Sequence, residues 1–126
     1  MAVFNFKIKA QNTIKIKLNY FGNPAPVIAT YLYRLKTKDS NKSVEEFSGD
    51  NQNSDDDIFS LPVPLSENKN KYIIISNEIS AFNANSGYSI QIEIIQDDVV
   101  TDTFEDKGEV VLNEPSHGKT ILIRME

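Results

Sequence analysis

Residues 14–20 of this sequence read Ile-Lys-Ile-Lys-Leu-Asn-Tyr, a strict alternation of apolar and polar side chains. Because successive side chains of a β-strand point to opposite faces of a sheet, a period of two residues predicts a strand with one buried face. Residues 3–10 repeat the pattern, with Lys7 and Lys9 on the polar face. Together the two segments predict that the chain begins with half-buried strands.

Further strand patterns follow along the chain. They cover residues 27–37, 58–65, 72–76, 88–94, 99–104, 109–112 and 120–125. Residues with turn propensity separate the later segments, at 97–98, 106–108 and 113–118. The pattern predicts an all-β protein in which residues 1–126 form a single two-sheet antiparallel β-sandwich of about eight to ten strands. Its general shape is expected to be Ig-like or C2-like.

Three of these segments carry specific expectations. Residues 27–37 also fit a helix face, but their β-branched and aromatic content favours a strand. Residues 58–65 contain Pro62 and Pro64, which remove backbone donors on one side and predict an edge strand. Residues 72–76 form a continuous apolar run, which predicts a central strand covered on both faces.

The charge distribution is uneven. The net charge is −5, yet the first 42 residues carry eight basic side chains and a single acid, Asp39. The acidic remainder disfavours nucleic acid as a partner, because binding to phosphates needs a cationic surface. Lysines interrupt any apolar run at the start and no apolar stretch is long enough to cross a bilayer, so the expected location is cytoplasmic. The absence of cysteine excludes thiol chemistry.

Four lysines of the first two segments are candidate interaction residues. They are Lys7, Lys9, Lys15 and Lys17. A hairpin of these segments would place Lys9 opposite Lys15 and Lys7 opposite Lys17, which is unfavourable. The lysines therefore predict either that the segments lie in different sheets or that an anion is adjacent, with Glu93, Glu109 or a bound partner as the candidates.

An acidic stretch follows the segment at 88–94. Its members are Asp97, Asp98, Asp102, Glu105 and Asp106. A strand that runs into spaced aspartates, with another aspartate shortly before Gly108, resembles the third calcium-binding loop of C2 domains. The resemblance implies a Ca²⁺ site with Asp98 and Asp106 as ligands. Acids in turns are usually solvated, and we adopt that interpretation, with calcium as the alternative.

Tyr31 and Tyr33 share one face of the segment at 27–37. Aromatic rings in this arrangement can stack on sugars or peptides, as in carbohydrate-binding sandwiches. On a strand pattern such rings usually pack in the core, and this is the interpretation we adopt.

No catalytic motif stands out. The single histidine, His117, follows Ser116 in a predicted turn without the pattern of a nucleophile. The sequence therefore favours a non-catalytic module that binds protein, including a second copy of itself, through sheet edges or loops. Two alternatives stay open: a ligand-binding sandwich for calcium or carbohydrate, and a hydrolase that uses two carboxylates.

Overall fold

The computed structural model describes residues 1–37, 43–51, 57–62, 65–114 and 117–126. Within these ranges the chain forms nine strands and no α-helix, which confirms the all-β prediction. In chain order the strands are β1 (Ala2–Phe6), β2 (Ile14–Asn23), β3 (Val27–Thr37), β4 (Ser43–Asp50), β5 (Asp57–Ser60), β6 (Lys71–Ala81), β7 (Ser86–Gln96), β8 (Val99–Val110) and β9 (His117–Met125). A short 3₁₀ helix spans Leu65–Asn68. No helix in the described ranges has the length and hydropathy required to span a membrane.

The strands form two sheets packed face to face. One has five strands in the order β1-β9-β6-β3-β4, and the other has four in the order β5-β2-β7-β8. The two-sheet sandwich is thus as predicted. One ladder departs from the antiparallel prediction, because β1 pairs parallel to β9.

The core lies between the inward faces of the two sheets. Most of the aliphatic side chains at alternate positions of β2, β6 and β7 have no more than 2% of their surface exposed. They include Ile14, Ile16, Leu18, Ile73, Ile75, Ile79, Ile90, Ile92 and Ile94. The period of two in the sequence is therefore a period of burial, as the strand geometry requires.

The first two segments lie in different sheets, which is one of the two predicted solutions for their lysines. β1 belongs to the five-stranded sheet and β2 to the four-stranded sheet. The predicted strand 3–10 was too long, because β1 ends at Phe6 and residues 7–13 cross from one sheet to the other. An anionic neighbour is present as well, since Lys17 lies opposite Glu93 on β7.

Two other strand predictions need correction. The edge strand predicted at 58–65 is an edge, but β5 stops at Ser60. The Leu61 N–H still donates to the Ile14 carbonyl, and Pro62 has no N–H with which to extend the ladder; Pro64 lies outside the described residues. The run at 72–76 belongs to β6, which is the central strand of the five-stranded sheet as predicted. Only one of its faces is fully buried, because Ile74 on the opposite face is only partly buried.

The turn predicted at 106–108 is absent. Residues 99–104 and 109–110, predicted to lie in separate strands, are joined in β8, which pairs with β7 along Val99–Val110. The predicted residues 111–112 lie beyond the end of this strand. Asp106 lies opposite Ile90 and Gly108 opposite Tyr88. The acidic stretch therefore lies on a twelve-residue edge strand and the turn before it.

Candidate interaction edge

The turn between β7 and β8 is held to the crossing segment by one carboxylate. Asp97 and Asp98 both have positive φ, 49° and 66°, as a two-residue hairpin turn requires. The Asp97 carboxylate accepts hydrogen bonds from the N–H groups of Gln11, Asn12 and Thr13, at 2.8, 2.9 and 3.0 Å. These three donors lower the pKa of Asp97 below its ordinary value of 3.8. Asp97 therefore links the hairpin to the segment between β1 and β2.

Replacing Asp97 with asparagine is expected to destabilise the protein at neutral pH but much less in acid. The lowered pKa means that Asp97 stabilises the fold above its unfolded value of 3.8, and that this contribution disappears as the pH falls through the pKa of the folded state. Asparagine tolerates the positive φ, so the variant loses the charge and one of the two accepting oxygens without backbone strain. Urea denaturation of both proteins between pH 7 and pH 2 measures the effect. A stability difference that does not vary with pH would contradict the assignment.

β1 and β8 are edge strands, and the open side of each is the side on which no described strand pairs with it. Gln96 bonds to part of the open side of the segment that continues β1. Its Oε1 accepts from the N–H groups of Lys9 and Ala10, at 2.5 and 2.9 Å, and its Nε2 donates to the Lys7 carbonyl at 3.0 Å and to Thr101 Oγ1 at 2.9 Å. The side chain is 3% exposed. A single amide thus supplies a donor and an acceptor to the extended backbone, as a neighbouring strand would.

The remaining open side of β8 can be read from the ladder pattern. The Asp97 N–H donates to the Thr13 carbonyl, so the odd-numbered residues of β7 form their backbone hydrogen bonds with β2. The even-numbered residues of β7 form theirs with β8. Ile92 therefore bonds to its partner Phe104. The residues of β8 whose N–H and C=O groups point away from β7 are Thr103, Glu105, Lys107 and Glu109. No described strand pairs with them.

The open side of β1 is shorter. Glu126 donates to the Phe6 carbonyl and accepts from the Ile8 N–H, so even-numbered residues of this segment bond to β9. The N–H and C=O groups of Val3 and Asn5 consequently point to the open side. Val3 is 61% exposed. After these two residues, the Lys7 carbonyl on the same side accepts a hydrogen bond from Gln96 Nε2.

The five acids of the stretch considered for calcium are spread over the hairpin. Asp97 is bonded to backbone N–H groups, and Asp98 is exposed at the turn. Asp102 and Asp106 are half-buried on the inward face of β8, and the Asp106 carboxylate lies 3.5 Å from Lys119 Nζ. Glu105 is on the outward face, where its carboxylate pairs with the Lys107 ammonium group at 2.9 Å. Among the described residues no three His, Cys, Asp or Glu side chains are placed to share a metal ion.

Tyr31 and Tyr33 are in the core, 4% and 0% exposed. Tyr31 stacks on Tyr20 and meets Phe59 edge-on, while Tyr33 stacks on Phe59. Burial raises the pKa of both Tyr31 and Tyr20, so these phenols stay neutral. The rings therefore face the opposite sheet rather than a surface on which a sugar could stack.

The four lysines also divide. Lys15 and Lys17 are half-buried on the outward face of β2, and Lys17 lies opposite Glu93. Lys7 and Lys9 are exposed in the crossing segment that follows β1. Only the second pair therefore lies next to an edge strand along the chain, directly after the end of β1.

Four surface depressions of between 270 and 450 Å³ are lined by described residues, and each contains at most one carboxylate. The carboxylates are those of Glu78, on the outward face of β6, and Glu109, near the end of β8. None of these four depressions thus brings together the pair of acids that glycoside hydrolysis uses.

No family model, curated protein or solved structure matches this chain. Asp97 was a candidate from the sequence, although as a metal ligand, whereas Gln96 was not expected at all. Gln96 ends an alternating strand and carries no local signal of its role, because three of its four hydrogen-bond partners lie 86 to 89 residues earlier.

Proposed function

We propose that this protein is a non-catalytic interaction module that binds an extended, positively charged polypeptide segment as an additional strand on the open side of β8. The observation that carries the proposal is the length of that edge. β8 has twelve residues, and four of them direct their backbone donors and acceptors to the open side. Addition of a strand to such an edge gives affinity through main-chain hydrogen bonds.

The side chains of β8 specify the partner. Asp98 precedes the strand and Glu105 and Glu109 lie on its exposed face, with Lys107 as the single basic residue. Like charges placed opposite each other across two strands are destabilising, whereas opposite charges are favourable. The edge therefore rejects another acidic strand and accepts one that carries lysine or arginine.

The beginning of β8 supports contact with apolar side chains. Val99 and Val100 are 61% and 49% exposed, next to the hairpin turn. Water-exposed valines beside an open edge are the combination that sheet proteins usually avoid, because it invites pairing with another chain. A partner strand that alternates basic and apolar residues would cover these valines and meet the acids.

Binding of a ten-residue peptide of alternating valine and lysine tests the proposal. In low salt we expect it to bind at least about tenfold more tightly than the valine–glutamate peptide of the same length, because charge selects the partner. Glu105→Pro removes one N–H on the open side, in a position where an edge strand tolerates proline, and should weaken binding about tenfold. Fluorescence anisotropy with a labelled peptide measures both effects.

The matched control is Glu105→Gln, which removes the same charge but keeps the N–H. It should weaken binding by no more than about threefold, since a single exposed charge contributes little. Thermal melting checks that both variants are folded. Equal binding by the proline variant and the wild type would show that the peptide does not add to β8.

A further inference from the structure

β1 and β8 are the edge strands on the same side of the sandwich. The Phe4 ring on β1 stacks on the Phe104 ring on β8, with centroids 4.8 Å apart. Further along, Gln96 joins the Lys7 carbonyl to Thr101. The two strands therefore run antiparallel to each other, one at the edge of each sheet, with both open sides facing the same direction.

These two edges also differ in charge. Acids occur in three of the four edge strands: β4 contains Glu45, Glu46 and Asp50, β5 begins with Asp57, and β8 is acidic as described. β1 contains no charged side chain, and the exposed Lys7 and Lys9 follow it. Among the described edges, β1 is thus the one that fits the partner required by β8.

We infer that the strand bound by β8 is β1 of a second copy of this chain, in a closed two-fold dimer. The inference rests on the proposed function, because it names the partner of the same edge. The two-fold axis lies beside β1 and β8 and runs parallel to the strands. Rotation about this axis places the four-stranded sheet of each copy next to the five-stranded sheet of the other. Each β1 then meets the other copy's β8, and two continuous nine-stranded sheets result.

The symmetry also sets the register. Rotation about an axis parallel to the strands leaves the level of each residue along that axis unchanged, so β1 meets the second copy's β8 at the level of the Phe4–Phe104 stack. Val3 then lies opposite Glu105, and Asn5 opposite Thr103. These four residues are ones whose backbone groups point to the open side, so the hydrogen-bonding pattern of an antiparallel pair is satisfied.

The same register brings the lysines to the acidic turn. Lys9 lies level with Asp98 and Val99 of the second copy. Lys7 lies level with Thr101 of the second copy and is therefore next to Thr103, which is on the outward face of that β8. The exposed valines at the start of β8 lie beside Ile8. The seam, which is the pairing of β1 of one copy with β8 of the other, thus combines apolar contacts with opposite charges. The two-fold symmetry produces two such seams.

Analytical ultracentrifugation at about 100 µM in low salt is expected to give twice the 14.2 kDa mass of one chain. Val3→Pro removes an N–H from the seam without removing a bond to β9 and should shift the protein to monomer. Val3→Thr, which keeps the N–H, should remain a dimer. A wild type that is monomeric at every concentration and salt would overturn the dimer, whereas the proposed function would stand if the valine–lysine peptide still bound.

A pair of charge variants tests the reciprocal seam. The first variant combines Lys7→Glu with Lys9→Glu and places acids against Asp98 of the second copy. The second variant combines Thr103→Lys with Asp98→Asn and places a lysine beside Lys7 of the second copy. Each variant alone should dimerise at least about tenfold more weakly than wild type in low salt. Their equimolar mixture should recover a 1:1 dimer, because both seams then join opposite charges. A mixture that stays monomeric, or one that forms longer assemblies, would contradict the closed two-fold arrangement.

Discussion

Replacing Gln96 with methionine is expected to lower the free energy of unfolding by about 2–4 kcal/mol. Methionine has a similar length but cannot supply the amide donor and acceptor. The N–H groups of Lys9 and Ala10 and the carbonyl of Lys7 would lose their partners in a partly buried site. Leaving several such backbone groups unsatisfied costs about 1 kcal/mol or more for each.

Gln91→Met is the matched control. Gln91 lies on the same strand, but its side chain points outward and its amide donates to Glu105 at an exposed position. Its loss should change stability by less than about 0.5 kcal/mol. Urea denaturation gives the free energies, and amide hydrogen exchange should be faster at Lys9 and Ala10 in the Gln96 variant alone. Equal stability of the two variants would show that Gln96 does not hold the crossing segment.

The strands that could be predicted are those whose burial alternates within the segment itself. β2 carries Ile14, Ile16 and Leu18 on one face, and β7 carries Ile90, Ile92 and Ile94, so the local sequence contains the full information needed. This local signal established the all-β class and the approximate strand count. It does not contain strand order, which depends on contacts between distant segments.

The continuity of β8 shows why local composition can mislead. Asp106, Lys107 and Gly108 have the composition of a turn, yet they lie within a strand. A Cβ at position 108 would lie 2.3 Å from the Tyr88 hydroxyl, so the glycine accommodates a neighbouring ring rather than a reversal of the chain. That requirement is set by β7 and cannot be read from residues 106–108 alone.

The candidate site was predictable only in its chemistry. The sequence identified Lys7, Lys9 and the acids at 97–106 as unusual charges. The role that we propose for them depends on strand order, which places β1 and β8 at the same side of the sandwich. Gln96 was missed because three of its four hydrogen bonds connect β7 to a segment nearly 90 residues earlier.

Ile75→Ala is expected to lower the free energy of unfolding by about 2–5 kcal/mol, the range measured when a large aliphatic side chain is removed from a core. Ile75 is on the inward face of β6 and is fully buried. Its neighbour Ile74 is on the outward face and only half-buried. Ile74→Ala should therefore cost about 1 kcal/mol, since it leaves no enclosed cavity.

The pair of variants distinguishes two architectures for the same apolar run. A strand covered on both faces, as residues 72–76 suggest by themselves, would lose similar stability at both positions. A strand of a two-sheet sandwich, with the opposite sheet on one face alone, loses much more at position 75. Both substitutions remove the same atoms from adjacent residues of one strand, so differences in intrinsic strand propensity cancel. Denaturant unfolding of the two variants thus measures which face of β6 packs against the second sheet, and equal losses would mean that another layer covers the outward face.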